Sequence, residues 1–110
     1  MEEKPIFIRT FGDSPVIRIL NTLLTGRELD YSMSDIARIS NVSWSTLNRV
    51  WDGLIKSELI KQTRQIGKAK LFMLNMDNLV VKNLIKMYDV LLMSKIEKID
   101  ERVVVKEQDL

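Results

Sequence analysis

The segment Met33–Leu54, MSDIARISNVSWSTLNRVWDGL, decides how this chain is expected to fold. Its pattern predicts two short amphipathic helices joined by a tight polar turn at Asn41, because asparagine tolerates the left-handed backbone of such a turn. Ser43 is a typical N-cap for the second of these helices, expected at about Trp44–Ser57. Four large apolar residues would form the buried face of that helix: Leu47, Val50, Trp51 and Leu54.

The residues before this segment predict one more helix and a brief strand. The run Asp13-Ser14-Pro15 combines capping residues with proline at the first helical position, and apolar residues then recur at helical spacing. A helix is therefore expected at about Pro15–Thr25. The polar connection that follows has room for a brief strand around Tyr31, and Ser32 or Ser34 would cap the next helix.

After the segment, the hydrophobic pattern changes from helical spacing to alternation, which predicts a β-hairpin. Its strands are expected at about Leu59–Arg64 and Lys70–Leu74, with Gly67 at the tip. Three helices followed by a two-stranded hairpin form the winged-helix arrangement. The predicted fold class is therefore mainly α with a small β-hairpin (α+β), a winged helix-turn-helix over residues 1–76.

A long amphipathic helix is predicted at about Asn78–Glu101, with Asn75 or Asp77 as its N-cap. One apolar stripe at helical spacing consists of Val81, Leu84, Ile85, Tyr88, Leu91, Leu92, Ile96 and Ile99. The last residues, 103–110, would form either a frayed helix end or a short strand.

A second, partial apolar stripe on the same helix consists of Val80, Met87, Val90 and Met93. One stripe suffices to cover a small domain, so two stripes predict a second surface to bury. The expected partner is the same helix of another copy, so residues 77–110 would be a dimerisation helix and tail, with the first stripe at the interface. The alternatives are a different protein partner, or closure of a stripe on the N-terminal segment Ile6–Phe11.

The composition excludes most kinds of catalysis. The chain of 110 residues has no cysteine and no histidine, so it lacks thiolate ligands, disulfides and the side chain most used as a general base. No paired acids, glycine-rich phosphate loop or nucleophile motif is present. We therefore expect no enzymatic activity, no catalytic residue, no metal and no cofactor.

No segment has the pattern of a targeting signal or a membrane span. The N-terminal sequence MEEKPIFIRTF contains a brief apolar stretch that Arg9 interrupts. The most apolar window, Leu79–Ile99, carries charged residues such as Lys82 and Asp89, which are costly in lipid. We therefore expect a cytoplasmic protein with no membrane partner.

Charge is distributed unevenly along the chain. Its formal net charge is +2, but between Arg49 and Lys86 eight basic residues accompany only three acidic ones. Residues 97–110 instead carry five acidic and three basic residues. A basic middle is typical of a protein that presents one face to a polyanion, although an ordinary solvated surface fits the same counts.

The helix-turn-helix pattern resembles that of winged-helix transcription regulators of the MarR and ArsR types. Three short runs carry the resemblance: Ile36-Ala37, Asn41-Val42-Ser43 and Thr46-Leu47-Asn48-Arg49. The run Ile66–Lys70 is similar to the wing, the β-hairpin, of small archaeal members. The resemblance spans about Phe11–Asn75 and departs at Asn41 and Glu58, two positions where glycine is common in these regulators.

This resemblance implies that the second helix of the motif enters the major groove of DNA. The exposed positions carried over are Ser43, Trp44, Ser45, Thr46, Asn48, Arg49 and Asp52. Arg49 suits a two-pronged bond to guanine and Asn48 a similar bond to adenine, while Asp52 would accept from cytosine or orient Arg49. Trp44 would either touch a thymine methyl or a sugar, or fold back over the preceding helix. The competing interpretation is a solvated polar helix face.

Three basic residues of the hairpin, Arg64, Lys68 and Lys70, would neutralise phosphates beside that helix. The competing interpretation is a charged hairpin edge that guards against aggregation. Together these patterns predict a homodimeric, sequence-specific regulator of transcription that binds double-stranded DNA. The alternatives are a winged-helix protein–protein interaction module, and an architectural or plasmid-segregation DNA-binding protein.

Overall fold

The computed structural model describes the backbone of residues 3–108 and the side chains of residues 3–94. The elements in chain order are α1 (Ile6–Phe11), α2 (Pro15–Thr25), β1 (Tyr31–Ser32), α3 (Met33–Ser40), α4 (Trp44–Lys56), β2 (Ile60–Ile66), β3 (Ala69–Leu74) and α5 (Leu79–Gln108). The order of α2, α3, α4 and the hairpin confirms the predicted winged-helix arrangement and the α+β class.

The helix starts follow from local capping. Ser14 Oγ accepts the Ile17 N–H at 3.2 Å at the start of α2, whose bounds are those predicted. Ser32, rather than Ser34, caps α3 by accepting the Asp35 N–H at 3.1 Å. These hydrogen bonds satisfy backbone donors that a helix start otherwise leaves without a partner.

Three antiparallel strands form one small sheet in the order β1-β3-β2. The predicted strand around Tyr31 is confirmed, and Tyr31 pairs with Phe72 in the middle strand. The hairpin of β2 and β3, residues 60–74, is called the wing below. Its strands run closer to the tip than predicted, because Ile66 pairs with Ala69 across a two-residue turn. Gly67 has a φ of 61° at the first turn position, where hairpin turns favour glycine.

The core lies where the helices α1, α2, α3 and α4, the sheet and the start of α5 meet. Its fully buried members come from every one of these parts: Phe7, Ile19, Leu23, Leu24, Ile36, Leu47, Leu74 and Val81. Burying a side chain of this size stabilises a fold by about 1.5–3 kcal/mol. Trp51 is also buried, as its spacing with Leu47 and Leu54 predicted.

The first half of α5 belongs to the core of its own protomer. Val81 is fully buried, and the buried Tyr88 ring lies edge-on to Phe7 of α1 with centroids 5.8 Å apart. The Tyr88 hydroxyl lies 2.7 Å from Thr25 Oγ1. The expected placement of Val81 and Tyr88 at a dimer interface is therefore corrected. The alternative, closure of the stripe on Ile6–Phe11, describes this part of α5.

The rest of the first stripe is divided between the core and the surface. Leu84, Ile85 and Leu91 are half-buried against the core, whereas Leu92 is exposed. Ile96 and Ile99 lie outside the described side chains. Three residues of the second stripe are exposed: Val80, Val90 and Met93. The short helix α1 was not expected, because six residues are too few to reveal a hydrophobic period.

The start and the length of α5 also differ from the prediction. Asn78, not Asn75 or Asp77, caps the helix, since its Oδ1 accepts the N–H groups of Val80 at 2.7 Å and Val81 at 3.2 Å. The helix continues to Gln108, so the short-strand alternative for residues 103–108 is wrong, and residues 109–110 lie outside the described part. No helix within residues 3–108 is both long and apolar enough to cross a membrane.

The end of α4 is a tight left-handed turn at Glu58, whose φ is 59°. The Leu59 N–H donates to Leu54 O at 3.2 Å and the Glu58 N–H to Ile55 O at 2.9 Å, the pattern of a Schellman motif. The Glu58 carbonyl accepts from the Nδ2 atoms of Asn75 and Asn78, both at 3.0 Å. The missing glycine therefore does not change how the helix ends.

We expect Glu58→Gly to raise the free energy of unfolding by about 1 kcal/mol, because glycine avoids the left-handed cost of roughly 1–2 kcal/mol and loses part of that gain to backbone entropy. Urea unfolding followed by circular dichroism measures the change. Glu58→Ala is the matched control, since it removes the same carboxylate but keeps a Cβ. Equal stabilisation by alanine and glycine would contradict the backbone explanation.

Candidate nucleic-acid interface

The turn between α3 and α4 has the left-handed residue that the sequence predicted. Asn41 has φ 55° and ψ 49°, and its N–H donates to Arg38 O at 3.2 Å. The next N–H, of Val42, donates to Ala37 O at 2.9 Å. These two bonds close a second Schellman motif and fix the angle between the two helices.

An arginine from α2 holds this turn in place. Arg18 Nη1 donates to the Asn41 carbonyl at 2.9 Å, while its Nη2 donates to Asp13 Oδ2 at 3.1 Å. Lys4 Nζ lies 2.7 Å from the same Asp13 oxygen. Hydrogen bonds from Arg18 and then Lys4 hold the pKa of the Asp13 carboxyl well below its usual range. The turn is thus anchored to a charged cluster outside the motif.

The first turn of α4 is ordered by small polar side chains. Ser43 Oγ accepts the Thr46 N–H at 3.2 Å and donates to Thr46 Oγ1 at 2.8 Å, which confirms Ser43 as the N-cap. Ser45 Oγ lies 3.3 Å from Ser43 Oγ. Ser43 and Ser45 are exposed and Thr46 is half-buried, so a ligand backbone can approach this end of the helix closely.

The outer face of α4 is exposed along its length. Asn48, Arg49 and Asp52 all lie on the surface, and Asn48 Nδ2 donates to the Trp44 carbonyl at 2.9 Å. Asp52 forms an ion pair with Lys56 rather than with Arg49, and Lys56 Nζ donates a hydrogen bond to Asp52 Oδ2 at 2.8 Å. Asp52 raises the pKa of Lys56 by accepting this hydrogen bond.

Trp44 lies where α4 and the wing approach each other. Trp44 is 55% exposed. It lines a shallow groove of about 330 Å³ together with Ser32, Met33, Ser34, Lys68, Ala69, Lys70 and Phe72. The groove therefore brings the start of α4, the start of α3 and the lysines of the wing to the same side of the molecule.

The three basic residues predicted in the wing differ in their surroundings. Lys68 and Lys70 are exposed and line the groove. Arg64 instead forms an ion pair with Asp30, with Nε 2.9 Å from Oδ2. Hydrogen bonds from Arg64 and then from Thr63 lower the pKa of Asp30 to about 2. The structure thus gives Arg64 a partner that its sequence neighbourhood does not reveal.

Several residues that shape this surface carried no signal in the sequence. Asp30 precedes β1 in a polar connection, Arg18 lies in α2, and Asp13 lies just before α2, where the sequence indicated only a helix start. Their contacts span 34 residues for Asp30 with Arg64 and 23 for Arg18 with Asn41, beyond any local motif. Within the described residues, no three His, Cys, Asp or Glu side chains are grouped so that they could hold a metal ion.

The fold is similar to that of a protein solved with DNA, ZitR of Lactococcus lactis, wild type. The TM-score is 0.55 at 17% sequence identity, and the match covers 84% of this chain and 64% of that chain. This chain therefore spans less than two thirds of the length of the chain it matches. No protein-family profile and no curated protein sequence matches it. At this identity the likeness shows a shared fold, the winged helix.

We expect Ser43→Ala to lower the free energy of unfolding by about 1 kcal/mol, because the Thr46 N–H loses its capping acceptor. Thermal or urea unfolding measures the loss. Ser45→Ala removes a neighbouring hydroxyl without removing the cap, and Ser43→Asn restores a capping side chain. If Ser43→Ala and Ser45→Ala proved equally stable, Ser43 would not be the residue that fixes the start of α4.

Proposed function

We propose that this chain is a transcription regulator that binds double-stranded DNA, with α4 in the major groove and the wing on the phosphate backbone. The observation that carries the proposal is the exposed polar face of α4 beside Lys68 and Lys70, joined to them by the groove at Trp44. An exposed helix and an adjacent cationic hairpin are the two parts with which a winged helix can contact one duplex.

The chemistry of α4 suits the reading of base edges. The proposed DNA-facing residues are Ser43, Trp44, Ser45, Thr46, Asn48, Arg49 and Asp52. Arg49 is exposed, and its guanidinium can donate two parallel hydrogen bonds to guanine. The hydroxyls of Ser43 and Ser45 are short enough for phosphate or base contacts close to the helix backbone. Arg49 is therefore the residue on which discrimination between sequences should depend most.

The wing would contribute affinity rather than sequence information. Lys68 lies in the turn at its tip and Lys70 on β3, and both are exposed, so these long cationic side chains can reach phosphates. Each phosphate neutralised by a lysine releases condensed counterions, so binding should weaken as salt concentration rises. The fold likeness to ZitR, which was solved in complex with DNA, supports a duplex as the ligand.

We further propose that the protein works as a homodimer through α5. The support is the exposed second stripe, in which Val80, Val90 and Met93 lie on the surface although α5 already covers its own core. Pairing of two such helices would bury these side chains and relate the two copies by two-fold symmetry. Two α4 helices could then meet successive major grooves, about 34–36 Å apart, at an inverted repeat.

We expect Arg49→Ala to weaken binding to a selected duplex roughly 5- to 150-fold, the loss of a guanine contact worth about 1–3 kcal/mol. The duplex is first recovered from a random pool at physiological salt, and affinities are then measured by fluorescence anisotropy. Arg9→Ala, which removes the same charge from α1, is the matched control and should keep the discrimination between selected and random duplexes.

The other outcomes of this experiment identify the competing functions. Equal, salt-sensitive binding of every duplex by the wild-type protein would indicate an architectural DNA-binding role. Failure of the wild-type protein to bind any duplex would indicate a protein-interaction module and would overturn the proposal.

We expect Val90→Lys to convert the dimer to a monomer, because a lysine at this position would have to be desolvated in the pairing of two α5 helices. Val90 is 61% exposed, so folding of the protomer should be unaffected. Sedimentation velocity measures the mass over a concentration series. Ile66→Lys, at a residue of the wing that is 58% exposed, is the matched control and should stay dimeric. A monomeric wild-type protein would refute the dimer.

A further inference from the structure

The guanidinium of Arg64 is bound by the carboxylate of Asp30 within the same protein. Its Nε lies 2.9 Å from Asp30 Oδ2 and its Nη2 lies 3.1 Å from Asp30 Oδ1. Two-pronged, charge-assisted hydrogen bonds of this kind are among the stronger and more directional side-chain contacts in proteins. The hydroxyl of Thr63 donates to the same Oδ2 at 2.6 Å. One carboxylate therefore binds two consecutive residues of β2.

A bulge in β2 makes this double contact possible. The pairing of β2 with β3 passes from Gln62 opposite Phe72 directly to Arg64 opposite Leu71, so Thr63 is the additional residue. In a regular strand, consecutive side chains point to opposite faces. A bulge interrupts that alternation and redirects a side chain. Thr63 and Arg64 thereby both reach Asp30.

Asp30 approaches the wing from outside the hairpin. It comes immediately before β1, which pairs with β3, whereas Thr63 and Arg64 belong to β2 on the other side of β3. Its contacts with the Thr63 and Arg64 side chains therefore link the start of β1 to β2, the other outer strand of the sheet. It ties the wing to the connection that leads into α3, the first helix of the helix-turn-helix.

The burial and the charge of Asp30 both favour a stable ion pair with Arg64. Only 15% of the Asp30 side chain is exposed, against 62% for Arg64. A carboxylate with so little access to water needs a charged or hydrogen-bonding partner to remain ionised. Hydrogen bonds from Arg64 and then Thr63 lower the pKa of Asp30 to about 2, so the charged form of Asp30 is favoured by these partners. Release of Arg64 to a phosphate would leave this charge without its main partner.

We propose that Asp30 is the positioning residue of the wing. It binds Thr63 and Arg64 so that Arg64 orients the hairpin instead of neutralising a phosphate, and the phosphate contacts of the wing are left to Lys68 and Lys70. This inference rests on the proposed function, duplex binding by α4 and the wing. It replaces the expectation that all three basic residues of the wing contact DNA.

The salt dependence of duplex binding tests the inference. The logarithm of the affinity falls linearly with the logarithm of the salt concentration, and each phosphate-contacting cation adds about 0.9 to the magnitude of this slope, which is called the slope below. The wild-type protein of 110 residues is compared with Asp30→Asn, with the double variant Asp30→Asn/Arg64→Gln, and with Lys70→Gln. Affinities for one random duplex and one selected duplex are measured across a potassium chloride series. Circular dichroism melts establish that each variant is folded at the assay temperature.

Three results are expected. Lys70→Gln should reduce the slope by about 0.9, since it removes a phosphate contact. The double variant should keep the wild-type slope, because the pair that it removes contributes no cation to the DNA. Asp30→Asn should increase the slope by about 0.9, because Arg64 is released to a phosphate. A pair with a merely structural role would lower the melting temperature without this increase.

Two results would overturn the inference while leaving the proposed function intact. One is a double variant that loses as much slope as Lys70→Gln, which would mean that Arg64 contacts phosphate in the wild-type protein. The other is a folded Asp30→Asn variant with the wild-type slope. If Asp30→Asn did not fold, the double variant would still decide, since its two amides can retain a neutral hydrogen bond. Absence of salt-dependent binding by the wild-type protein would overturn both proposals.

Discussion

The contact between Trp51 and Phe72 determines how the two parts of the candidate interface are arranged. The rings meet edge to face with centroids 5.0 Å apart and an interplanar angle of 88°, and both are buried. Such a pair contributes about 0.5–1.5 kcal/mol beyond the burial of its surface. Trp51 lies on the inner face of α4, and Phe72 lies on the middle strand of the sheet. Because this contact joins α4 to β3, a strand of the wing, the outer face of α4 and the lysines of the wing share one side.

The sequence predicted well those parts of the fold that depend only on interactions between residues close together in the chain. The bounds of α2, the caps at Ser32 and Ser43 and the left-handed turn at Asn41 all depend on neighbouring residues, which capping and turn preferences describe. Hydrophobic spacing also identified the inner face of α4. It could not identify what covers α5, because a periodic stripe shows that a face is buried and not which surface covers it. Tyr88 packs on Phe7, 81 residues earlier in the chain.

The candidate interface was predictable to a similar degree and for the same reason. Positions such as Asn48 and Arg49 follow from the helical period once Leu47 and Trp51 are placed inside. Asp52 and Lys56 are four residues apart on one helix, where opposite charges commonly pair. Their ion pair could therefore have been predicted from the sequence. Arg64 is different. Its partner Asp30 meets it only after three strands have formed in the correct order and register, which no local pattern describes.

Asn78 uses both ends of its amide at the junction between the wing and α5. Its oxygen accepts two N–H groups at the start of α5, and its nitrogen donates to the carbonyls of Glu58 at 3.0 Å and Ser57 at 3.4 Å. Aspartate would keep the acceptor and lose the donors, and serine is too short to serve both partners at once. Few amino acids can therefore be exchanged at this position. Its tolerance to substitution should be narrow even though Asn78 is not itself one of the core residues.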